Sequence, residues 1–105
     1  MTPLLVQVSV GNSEEAKHLA SLLVENKLAS CVQCISGVDS IYSWKGEICR
    51  DSESLLLIKS SEEKWNDLIA CVKQNHSYEC PEIVSISPYK VEEKYLKWWQ
   101  ESLEG

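Results

Sequence analysis

Residues 31–59 read CVQCISGVDSIYSWKGEICRDSESLLLIK, and this stretch decides the fold. Cys31–Trp44 and Glu47–Lys59 are both rich in β-branched and aromatic residues, and only Lys45-Gly46 separates them. A glycine at so tight a connection supplies the positive φ that a hairpin turn needs. An arm of thirteen or fourteen residues at about 3.3 Å each spans on the order of 45 Å. A globule of 105 residues is only about 35 Å across. The arms should therefore project beyond their own domain and carry Ile41, Tyr42 and Trp44 into solvent. Pairing with a neighbouring subunit is the simplest cover for such arms, so a homo-oligomer clamped by the hairpin is expected. The alternative is a bulged hairpin folded back on its own domain.

On the N-terminal side, Pro3–Val10 alternates Leu4, Val6, Val8 and Val10 and reads as a strand. Gly11-Asn12-Ser13 breaks it, and Asn12 with Glu15 makes a capping box. Ala16, Leu19, Ala20 and Leu23 then predict a helix over 13–27. On the C-terminal side, Leu55–Ile58 is a continuous apolar run of the kind found in a central strand. Ser60 and Glu63 read as a second capping box. Trp65, Leu68, Ile69 and Val72 predict a helix over 61–74. Glu82–Tyr89 reads as a final strand. Tyr95, Leu96, Trp99 and Leu103 stripe a last helix over 92–103. The order β-α-β-β-α-β plus a C-terminal helix predicts one α+β domain over residues 1–105, a ferredoxin-like sandwich with both main helices on one face of an antiparallel sheet.

Ten Lys and Arg against sixteen Asp and Glu give a net charge of −6, and Arg50 is the sole arginine. Such a chain is a poor ligand for nucleic acid or an anionic membrane. No apolar run approaches a membrane span, and Met-Thr-Pro does not open a secretion signal, so a cytoplasmic protein is expected. Five cysteines, an odd number, argue against a disulfide framework. Cys31 and Cys34 have redox or metal-clip spacing, but on a strand residues three apart face opposite ways. The cysteines are read as small buried hydrophobes.

Because this topology hosts unrelated functions, the site has to decide. RNA recognition would need aromatic platforms and basic surroundings, whereas the chain has no Phe and is acidic. A phosphatase would need phosphate-cradling groups in the first strand–helix loop, and Val10–Ser13 has no basic residue. A copper chaperone would carry paired cysteines there. The richest donor cluster is instead HSYECPE at 76–82, with one imidazole, one thiol and two carboxylates. The other reading of this loop is a helix cap at Asn75-His76 followed by solvated glutamates. Trp44, Trp98 and Trp99 read as packing or interface anchors. No nucleophile–base–orienter set can be assembled.

The stretches LASCVQCISGVDSIYSWKGEI, LLLIKS, HSYECPEIVSI and YLKWW together resemble the CutA divalent-cation-tolerance family over nearly the whole chain. The resemblance implies a cytosolic homotrimer joined by long hairpins, similar in architecture to PII-type signal proteins, and a link to tolerance of copper and other divalent metals. Residues at the family's recurrent positions are Cys31, Trp44, Gly46, Glu47, Lys59, His76, Tyr78, Pro81 and Glu82, expected around a cleft between subunits. Within that set His76, Glu82 and Cys31 are the candidate metal ligands, and Trp44, Glu47, Lys59, Tyr78 and Pro81 the candidate cleft. Some bacterial members use two adjacent histidines and a first-strand cysteine for copper. Asn75 and Val8 stand at two of those positions here, and Ser77 replaces a usual proline. The expectation is a non-enzymatic protein with no catalytic residue and no required cofactor, holding a copper or zinc ion weakly. The alternative is a PII-like regulatory module whose cleft binds a small molecule or a partner protein.

Overall fold

Leu4, Val6, Val8 and Val10 are each at most 5% exposed, which fixes one face of β1 (Pro3–Val10) in the core. A computed structural model describes residues 1–104. After β1 come α1 (Ser13–Glu25), β2 (Cys31–Trp44), β3 (Glu47–Ser61), a 3-10 turn (Glu62–Lys64), α2 (Trp65–Gln74), β4 (Ile83–Ile86) and α3 (Glu93–Leu103). The four strands form one antiparallel sheet in the order β2-β3-β1-β4. This is the expected α+β sandwich. Ala16, Leu19 and Leu23 of α1 and Leu68 and Val72 of α2 bury against Leu56 and Ile58 of β3 and the inner face of β1. The apolar run of β3 splits by parity: Leu56 and Ile58 are sealed in the core, while Leu55 and Leu57 lie half-buried on the opposite face.

Several boundaries differ from the sequence reading, each for a local reason. Helix α1 stops at Glu25 because Lys27 turns left-handed (φ 56°), and Leu28 and Ala29 both donate back to the Leu23 carbonyl. The second capping box does not form. Ser60 Oγ donates to the Leu28 carbonyl, Glu63 accepts from the Thr2 amide, and α2 begins only after a 3-10 turn. Strand β4 is four residues long rather than eight. Carrying its register with β1 onward would set Pro88 against Pro3, two residues without an N–H to donate. Helix α3 starts one residue late because Glu92 caps it, accepting from Lys94 and Tyr95 amides. Trp99 locks α3 to the sheet: its indole N–H donates to the Ser60 carbonyl, and its own carbonyl accepts from Ser30 Oγ.

The hairpin reaches as far as its length requires, and the molecule measures 44 × 26 × 22 Å. Lys45 (φ 50°) and Gly46 (φ 80°) are both left-handed, the geometry of a tight two-residue turn whose twist matches the strands. A bulge does interrupt the pairing between Ile35 and Val38, with Gly37 at φ 72°, yet the arms still project. Ile41, Ile48, Tyr42 and Trp44 are all exposed along them. On the helix-free sheet face Ile35, Val84 and Ile86 are exposed as well. None of the five cysteines is fully buried, contrary to their reading as small core residues. Cys34 and Cys80 are exposed, and Cys31, Cys49 and Cys71 half-buried. Cys31 and Cys34 pair with Lys59 and Leu56, which places them on opposite sheet faces.

Candidate functional site

The alternation of β3 sets Asp51 and Glu53 on the same face as Leu55, opposite Ser40 and Val38 of β2. On that face the chain end of β1, the hairpin and the loop 75–82 surround an open cavity of about 600 Å³. Its walls include Tyr42, Trp44, Asp51, Glu53, Tyr78 and Glu82.

The loop that closes one side is held at four points. Asn75 caps α2, with its side-chain amide donating to the Cys71 carbonyl at 2.8 Å. His76 is bracketed by backbone: its Nδ1 accepts from the Tyr78 amide (3.0 Å), so its Nε2 carries the proton and donates to the Ser9 carbonyl (2.7 Å). The carboxylate of Glu15, in the first turn of α1, accepts from both the amide and the hydroxyl of Ser77 (2.9 and 3.1 Å). This use of Glu15 replaces half of the expected capping box. Asn12 Oδ1 still caps the Glu15 amide, but the Glu15 side chain turns outward to the loop. Finally, Gln7 Nε2 donates to Glu82 Oε2 at 3.0 Å.

Two phenol–carboxylate pairs form the floor. Tyr78 donates to Glu53 Oε2 at 2.7 Å, and Tyr42 donates to Asp51. Burial of Tyr78 and the anionic Glu53 beside it push its pKa well above the ordinary phenol value. The Asp51 hydrogen bond, helped by slight burial, pushes Tyr42 up to about 12. Both phenols therefore stay protonated donors at neutral pH. Glu53 is 7% exposed, and its closest support is a hydroxyl rather than a cation.

The structure brings together only part of the residue set read from sequence. Trp44, Tyr78 and Glu82 line the cavity, and half-buried Pro81 stands between two lining residues, Cys80 and Glu82. Glu47 pairs with Trp44 at the hairpin turn, outside the lining. Lys59 lies elsewhere, with its ammonium 5.1 Å over the Tyr95 ring and 3.5 Å from Gln33 Oε1. The candidate metal set is not gathered either. Cys31 pairs with Lys59, level with Leu5 of β1, whereas His76 contacts Ser9 at the other end of β1. Both His76 nitrogens already have backbone partners, and no group of three His, Cys, Asp or Glu among the described residues is placed to hold a metal ion. Sequence reading gave Glu15 a helix cap and Tyr42 a place on the arm, and it assigned none of Glu15, Tyr42, Asp51 and Glu53 to the site. For Asp51 and Glu53 the signal was their i, i+2 spacing on the strand face that also carries Leu55 and Leu57.

Comparison with known proteins is consistent along the chain. Residues 4–102 match the model of the CutA1 divalent ion tolerance protein family. The chloroplastic protein CutA of Arabidopsis thaliana is 38% identical over 99 residues, which are 94% of this chain but 54% of that protein. The divalent-cation tolerance protein CutA of Thermus thermophilus is 39% identical over 98 residues, covering 93% of this chain and 95% of the relative. The crystal structure of CutA1 from Oryza sativa superposes with a TM-score of 0.94 at 37% identity, covering 97% of this chain and 94% of that one. The chain thus spans about half the length of its plant relative in sequence and nearly the whole of the bacterial one.

Proposed function

Since the chain belongs to the CutA1 divalent ion tolerance family, we propose that it serves tolerance of divalent cations as a cytoplasmic homotrimer, by binding rather than by catalysis. The observation that carries the reading is the loop 75–82: Glu79, Cys80 and Glu82 all present exposed donors on a segment tied down by Glu15, Gln7 and the His76 ring. A thiol and carboxylates suit copper or zinc, and donors that are not gathered into a group of three suit only weak, reversible capture. His76 joins such a site only by exchanging the Tyr78 amide at Nδ1 for the ion. Cys31, at the far end of the sheet, is outside it. Relatives carrying the tolerance name support the role, and the projecting hairpin supports the assembly.

Zinc titration of the reduced protein, followed by calorimetry, tests the site. Glu82→Gln and Cys80→Ser should each weaken binding about threefold or more, and His76→Ala should lose affinity only if the imidazole exchanges its partner. Unchanged zinc binding in the Glu82→Gln, Cys80→Ser double variant removes the loop from the proposal.

A further inference from the structure

Glu82 is the carboxylate of the loop that the sheet itself holds. Ile83 pairs with Val8 and Val84 with Gln7, so alternation puts Glu82 on the sheet face of Gln7, as its diagonal neighbour across the ladder. Over that diagonal Gln7 Nε2 donates to Glu82 Oε2 at 3.0 Å. Gln7 is half-buried and outside the cavity lining, whereas Glu82 is exposed and within it. The amide therefore reaches the carboxylate from the sheet and occupies one of its two oxygens.

What a carboxylate offers an ion depends on whether both oxygens are free. Calcium takes roughly six to eight oxygens and commonly holds a glutamate by both of its oxygens. Zinc is four-coordinate and takes a carboxylate oxygen beside nitrogen or sulfur donors. An oxygen already accepting an amide proton is the poorer donor of the pair, and turning it to the ion means giving up the Gln7 bond. An outer partner of this kind also fixes the orientation of the ligand it touches. The exposed Cys80 thiol, two residues before Glu82, disfavours calcium as well, so two features of one loop point the same way.

We propose that Gln7 is a positioning residue of the loop site, holding Glu82 as a one-oxygen ligand and so favouring zinc and copper over calcium. The inference rests on the loop 75–82 being the cation site, and it supplies a reason for the ion preference there. Gln7 is neutral, so removing its amide changes the aim of Glu82 without changing the charge of the site.

The test combines calorimetric zinc titration of the intact reduced protein in its native oligomeric state, calcium competition, and infrared difference spectra of the zinc-bound form. Glu82→Gln identifies the Glu82 carboxylate bands by their loss. In the wild type the antisymmetric and symmetric stretches of Glu82 should be widely separated, as one-oxygen binding requires. Gln7→Met keeps the side-chain size and removes the donor. It should narrow that separation to the two-oxygen pattern and weaken zinc binding about threefold or more. The calcium concentration that displaces half the zinc should fall as well. Gln7→Leu should act in the same way and decides alone if Gln7→Met does not fold. Gln33→Met, on the same sheet face but two strands away, should change none of the three readings. A wide separation kept in the Gln7 variants, or a narrow one already present in the wild type, overturns the inference and leaves the loop site standing. Zinc binding unchanged in Glu82→Gln overturns it by removing Glu82 as a ligand, while the loop site itself falls only with the Glu82→Gln, Cys80→Ser double variant.

Discussion

Glu53 occupies the middle of β3 as a carboxylate 7% exposed, and the Tyr78 hydroxyl at 2.7 Å is what makes that position tolerable. Tyr78→Phe removes the donor and leaves the anion behind, so it should destabilise the fold by about 1–3 kcal/mol in urea denaturation. The same contact gives a pH signature. The folded phenol titrates above its unfolded value of about 10, so its stabilisation is complete below pH 10 and drains away as pH rises past it. The urea midpoint of the wild type should therefore fall faster than that of Tyr78→Phe above pH 10, and parallel curves would remove Tyr78 as the cause. Gly11 guards the same ring: a Cβ there would meet Tyr78 Oη at 3.3 Å, so Gly11→Ala should shift the phenol and reproduce part of the Tyr78→Phe loss. At this scale the sequence was only half legible. Tyr78 and Glu82 stood out because they share a short donor-rich loop. Glu53 and Asp51 did not, because DSES reads as solvated polar filler until strand alternation and the β1 end place it over a cavity.

Elements, rather than single residues, hold the loop 75–82 in place. Helix α1 presents its first turn to the loop, and Asn12 fixes that turn by accepting from the Glu15 amide at 2.8 Å. Asn12→Ala should cost about 1 kcal/mol of stability and, because Glu15 then frays, speed amide exchange at Ser77. Glu15→Gln should leave the helix cap intact while loosening the same amide. Exchange at Ser77 unchanged in both variants would mean the loop is held from elsewhere. The contrast between the two capping boxes shows what sequence patterns can specify. Asn12 follows a strand break and caps as read, although Glu15 turns its side chain to Ser77, whereas Ser60 still lies within β3 and its hydroxyl goes to the Leu28 carbonyl instead. A local motif loses to a tertiary partner when the residue is already committed to a ladder. The ends of β1 and β2 and the start of β3 were legible to the residue because alternation and the Lys45-Gly46 turn are local signals. The brevity of β4 was not, since it depends on Pro3 facing Pro88 across strands far apart in sequence.

At the scale of the whole molecule, the hairpin carries apolar side chains that its own chain leaves exposed. An axis of 44 Å is long for a chain of 105 residues, and the excess is an arm exposing Ile41 (63%), Ile48 (73%), Tyr42 and Trp44. Strand β2 is also a sheet edge along its full length, with one row of backbone groups open to pairing. Both features lie where a second copy could lay its own strand, and the half-buried Leu5, Leu55 and Leu57 extend the apolar surface onto the helix-free face. Sedimentation should therefore give a particle of about three times the 11.9 kDa chain mass, stable on dilution to micromolar concentration. Charging the arm with Ile41→Asp and Ile48→Asp should shift the particle toward the single-chain mass while the buried residues around Leu56 keep the domain folded, as read by far-ultraviolet dichroism. The arm packs against no core of its own subunit, so this variant separates assembly from folding. A wild-type particle of 11.9 kDa with native dichroism would show that the arm is simply solvated, and the trimer in the proposed function would have to be abandoned. A trimer undisturbed by both aspartates would instead place the contact on the helix-free face, where Val84→Asp and Ile86→Asp become the variants that must break it.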